Sequence, residues 1–88
     1  MKMYDIIRTL HEIGFTLQLR TIPFIQADWQ STTSGLGCVV TFFDYVMKWS
    51  GINLAFDLAY TDIVSIRKTD EGFLKFTLVN NQSLEVRL

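Results

Sequence analysis

The sequence predicts an α+β domain: one N-terminal helix followed by a curved five-stranded antiparallel meander. Two observations carry this. Near the start, Met3, Ile6, Ile7, Leu10 and Ile13 recur at helical spacing. From Ile52 onward the pattern changes to a two-residue period, with Ile52, Leu54, Phe56, Leu58 and Tyr60 alternating with small or polar residues. That parity continues through Val64, Ile66, Leu74, Phe76, Leu78, Leu84, Val86 and Leu88, which defines one buried sheet face.

A chain of 88 residues fits a single domain, spanning 1–88, with enough apolar content (49%, of which seven Phe, three Tyr and two Trp form the aromatic part) to build one core. Its slightly positive mean hydropathy leaves apolar surface over for a partner. Eight basic and nine acidic residues give a net charge of −1, which excludes a global basic field for nucleic acid. The lone Cys38 excludes an intrachain disulfide and a cysteine-based zinc site. Asp5 and Arg8 interrupt the start, so it does not read as a signal peptide, and the apolar run Gly35 to Phe43 is too short to span a bilayer. The expected location is cytoplasmic, with no membrane association and no cofactor.

In chain order, the helix covers residues 3 to 13 and Gly14 caps it. Phe15, Leu17 and Leu19 alternate with polar residues as a first strand, which Pro23 interrupts. Apolar residues then fall on both parities (Phe24, Ile25, Trp29), so register is undefined there, and Ser31 to Gly35 is a loop by composition. Residues 38 to 49 admit a helix, ended by Ser50-Gly51. Their β-branched and aromatic content favours a strand instead. A two-residue turn at Ser50-Gly51 would set Trp49 opposite Ile52, Met47 opposite Leu54, Tyr45 opposite Phe56 and Phe43 opposite Leu58, all on the buried face. Asp62 marks a bend. Asp70-Glu71-Gly72 forms a hairpin loop with Gly72 left-handed, pairing Ile66 with Phe76 and Val64 with Leu78. The turn from Asn80 to Ser83 needs an odd loop or a bulge to keep Leu84 and Val86 on the face of Leu78, and three registers meet that condition. Strands of this length curl, and a partly closed barrel is the limiting form.

The opposite sheet face carries the functional expectations. Val40, Phe42, Val46, Ala55, Ala59, Ile63 and Val79 make it more apolar than a solvated face should be. With Phe24 and Trp29 nearby, Val40, Phe42, Val46, Ile63 and Val79 form an expected protein interface, for another protein or for a second copy of the chain; closure of a small barrel is the structural alternative. Such a domain would be a non-enzymatic accessory or inhibitory factor that acts by binding. An alternative anion or nucleic-acid site would use Arg67, Lys75 and Arg87 as a basic ladder, against a solvated face partly neutralised by Glu85. The same register sets Asp44 opposite Asp57, a carboxylate pair suited to acid–base work or to a hard cation. No nucleophile, phosphate loop or metal-ligand cluster accompanies it, so an enzyme is not expected. His11 and Cys38 read as a helix-surface and a core residue.

Overall fold

The computed structural model describes residues 1–14, 25–30 and 35–87, and the backbone of 16–19. The expected roles of Pro23 and Phe24, and the loop residues 31–34, lie outside the described residues. Helix α1 (Met3–Glu12) buries Ile6, Ile7 and Leu10 and turns Asp5 and Arg8 outward, where they pair at 3.1 Å. Gly14, at φ +107°, ends it in a conformation that side chains avoid, and its N–H donates to the His11 carbonyl at 3.1 Å.

Eight strands follow among the described residues: β1 (Thr16–Leu19), β2 (Ile25–Gln30), β3 (Gly37–Phe42), β4 (Val46–Gly51), β5 (Leu54–Ala59), β6 (Ile63–Lys68), β7 (Leu74–Leu78) and β8 (Ser83–Val86). All pairs are antiparallel. They form two open sheets, β1-β2-β3-β4-β5 and β6-β7-β8, rather than one five-stranded meander or a closed barrel. The α+β class stands; the single sheet does not. The break falls at Tyr60–Asp62, where a one-turn 3-10 segment takes the chain out of β5 before Ile63 opens the second sheet.

Two turns account for the change in the first sheet. The run from Cys38 to Trp49 is a hairpin, reversing at Phe43 to Tyr45, where the Phe43 N–H donates to the Val46 carbonyl at 2.9 Å. This reversal switches the buried parity, so Val40 and Phe42 join Met47 and Trp49 in the core. The next reversal is at Ile52-Asn53 instead of Ser50-Gly51. Lys48 therefore faces Asp57, Trp49 faces Phe56 and Met47 faces Leu58. Gly51 stays in the strand because it sits opposite Cys38, where a Cβ would stand 3.2 Å from the Cys38 Cβ. The glycine serves close strand approach there, not a turn.

The second sheet follows its expected pattern more closely. Ile66 pairs with Phe76 and Arg67 with Lys75. Gly72, at φ +90°, occupies the left-handed position of the loop that Thr69 closes. Asn80 and Asn81, at φ 64° and 62°, supply the irregular turn that sets Leu74 opposite Val86 and Phe76 opposite Leu84. One detail differs. A register shift between Ile63 and Ser65 turns Ile63 into the core at 2% exposure and leaves Val64 56% exposed, so Leu78 pairs with Ile63.

Trp49 joins the two sheets. It is fully buried, stacks on Phe56 at 5.6 Å and meets Phe76 of β7 edge-on at 5.3 Å. The Met1 amino group adds a tie at the joint, donating to the Tyr60 and Ile63 carbonyls at 3.1 and 2.9 Å. Among the described residues no helix is long and apolar enough to cross a membrane.

Cys38 lies in this core at 5% exposure, and burial, assisted by the charge of Asp28, pushes its thiol up to about 11. The thiolate is the nucleophile, so at neutral pH Cys38 should resist alkylation by iodoacetamide in the native protein. It should react at the rate of a free thiol only in denaturant, a difference that intact mass resolves directly.

Candidate interaction surface

The outer face of the first sheet is mixed, more polar than expected. Its rows run Val46 and Ala59, then Gln26, Thr41, Lys48 and Asp57, then Asp28, Val39, Ser50 and Ala55, so Val46, Ala55 and Ala59 do lie on it; the Gln26 amide donates to the Thr41 hydroxyl at 3.3 Å. Four residues expected on an exposed interface are core instead: Trp29, Val40, Phe42 and Ile63 are each at most 5% exposed. Val46 is partly buried, and Val79 is exposed. The reversal at Phe43 to Tyr45 exchanges the faces at Val40 and Phe42, the bulge at Val64 does so at Ile63, and Trp29 shares the core face with its cross-strand partner Cys38.

The basic ladder does not assemble as expected either. Arg67 and Lys75 are cross-strand neighbours, but Lys75 faces Glu85 on its other side. Arg87 lies beyond β8, pairs with Glu85 at 3.1 Å and rests over the Phe73 ring at 5.1 Å. A hollow there is lined by Arg67, Lys68 and Lys75 and equally by Asp70, Glu71 and Glu85, so the charges balance and no concentrated positive field forms. The carboxylate pair is absent: Asp57 faces Lys48, and Asp44 stands in the turn between β3 and β4.

That turn is the distinctive surface feature. Tyr45 is 84% exposed and Phe43 39%, with the Asp44 carboxylate between them. Three hydrogen bonds hold this turn. The Phe43 N–H donates to Val46, the Tyr60 N–H donates to the Tyr45 carbonyl at 3.2 Å, and the Tyr60 hydroxyl donates to the Phe43 carbonyl. Tyr60 is itself buried, so the turn is anchored to the core through one side chain. Val64, at the register shift of β6, and Val79, just past β7, are two further exposed apolar residues.

No family model, curated protein or solved structure matches this chain. The residues themselves must therefore carry the functional reading.

Sequence reasoning missed Phe43 and Tyr45 because aromatic, strand-forming residues in an apolar run read as core. The one available signal was Asp44, an isolated charge inside that run and a residue that favours turns.

Tyr60 is the test of the anchoring. Burial, and secondarily the negative charge of Asp44, push its phenol up to about 12. Tyr60→Phe should cost about 1–2 kcal/mol in urea unfolding, since it leaves the Phe43 carbonyl without that donor. The pH dependence has a defined sign. Tyr60 and Cys38 both hold their protons more tightly folded than unfolded, so the unfolded state binds fewer protons at high pH. Their contribution is complete below pH 9 and is lost as pH rises through about 11 for Cys38 and about 12 for Tyr60. Stability should therefore fall across that alkaline window, and Tyr60→Phe should remove the upper part of the fall.

Proposed function

We propose that this chain is a small non-enzymatic protein-binding domain whose contact surface is the aromatic turn Phe43 to Val46. The observation that carries the reading is an 84% exposed Tyr45 on a turn anchored by Tyr60. Binding hot spots are enriched in tyrosine, and a pre-ordered turn lowers the entropy lost on association. Asp44 adds a negative charge beside the aromatic rings, which suits an apolar pocket with a basic rim on the partner. An accessory or inhibitory role follows from binding without chemistry. A cytoplasmic location is compatible with a lone, buried cysteine.

The reading is tested by affinity capture from the source cells, with the unmodified chain and the Tyr45→Ala variant as parallel baits. A protein held by the first and lost by the second supports it. Identical sets of captured proteins would refute the turn as the contact. Sedimentation of the purified chain decides whether the partner is a second copy: a dimer that Tyr45→Ala dissociates would make it so.

A further inference from the structure

A depression of about 810 Å³ lies at the opposite end of the β3–β4 hairpin from the aromatic turn. Gly14, Gly37 and Gly51 line it, so backbone forms much of its wall. The glycines at the strand ends are there for close packing: a Cβ on Gly37 would stand 3.2 Å from the Trp29 carbonyl oxygen. Trp29, Val39 and Ile52 add apolar surface, and Ile52 is 81% exposed at the rim. Asp28 and Ser50 bring polar groups to the same space, on the row that Val39 joins between them.

Asp28 sets the chemistry. Its residue is half-buried, and among the described residues it takes part in no ion pair. A carboxylate beside apolar side chains attracts a cation through a charge-assisted hydrogen bond, which a neutral group cannot match. Its charge reaches inward as well, since it contributes to the raised Cys38 thiol. Its volume lies within the range of small-ligand sites, and its lining combines backbone and polar groups with a few apolar side chains.

We propose that this depression is a binding site for an ammonium or guanidinium group carried on a short apolar stem, with Asp28 as the counter-charge and Val39 and Ile52 against the stem. The site is separate from the aromatic turn, and either reading can fail without the other.

The test uses benzamidine and its neutral counterpart benzamide as probes, followed by amide chemical shifts of the isotope-labelled chain. Benzamidine should give saturable shifts at Gly37, Val39, Ser50 and Gly51, and benzamide should bind about tenfold more weakly. Asp28→Asn should abolish the difference between the two probes. Added salt should weaken benzamidine alone. Equal binding of both probes, shifts elsewhere on the chain, or no saturable shift with benzamidine would each overturn the proposal. The probe comparison on the unmodified chain decides the matter even where the Asp28 variant fails to fold.

Discussion

Trp49→Ala should remove most of the stability of this domain. The indole is fully buried and touches both sheets, through Phe56 in one and Phe76 in the other. Truncating a buried aromatic of this size costs about 3–5 kcal/mol, from lost transfer energy together with the cavity left behind. Small domains have on the order of 5–15 kcal/mol in total, and a chain of 88 residues belongs near the lower end. Urea unfolding followed by circular dichroism should show the midpoint falling by half or more, or no folded baseline at all. Trp49→Phe should cost clearly less, because a smaller ring can still meet Phe76. An alanine variant as stable as the parent would mean that the two sheets do not share this core.

The second large effect is on binding and should leave the fold intact. Tyr45→Ala removes a side chain that is 84% exposed, so the stability change should stay within about 0.5 kcal/mol. Against the captured partner, the same change should cost about 2–4 kcal/mol, a loss of roughly thirtyfold or more in affinity. Asp70→Ala is the control. Asp70 is exposed in the loop between β6 and β7, and its loss should leave affinity unchanged. Tyr60→Phe should fall between the two, since it loosens the turn without removing an aromatic contact.

How far the sequence revealed this molecule differs by segment. Helix α1 was legible because five apolar residues repeat at one spacing and Gly14 ends the pattern. The β6–β7 hairpin was legible because Gly72 marks its loop and the apolar parity fixes its register. Residues 37–51 were not. Their central turn, Phe43-Asp44-Tyr45, contains neither glycine nor proline, and both of its aromatic residues favour strands. Gly51 added a false turn signal, since it lies in a strand, in close contact with the neighbouring Cys38, and not at a reversal. Reading that segment as one strand moved Val40 and Phe42 to the wrong face. It also created an Asp44–Asp57 pair that the register replaces with Lys48–Asp57. Val40 and Phe42 exchanged faces through a reversal that alternation alone cannot detect, and Ile63 through the bulge at Val64.

The exposed aromatic turn is the central claim, and site-directed photo-crosslinking tests it most directly. A photoreactive phenylalanine analogue placed at Tyr45, and in a parallel protein at Asp70 in the β6–β7 loop, would be irradiated in extracts of the source cells. A discrete protein adduct is expected from position 45 and none from position 70. Adducts from position 70 alone, or no adduct from position 45 in a correctly folded protein, would contradict the claim.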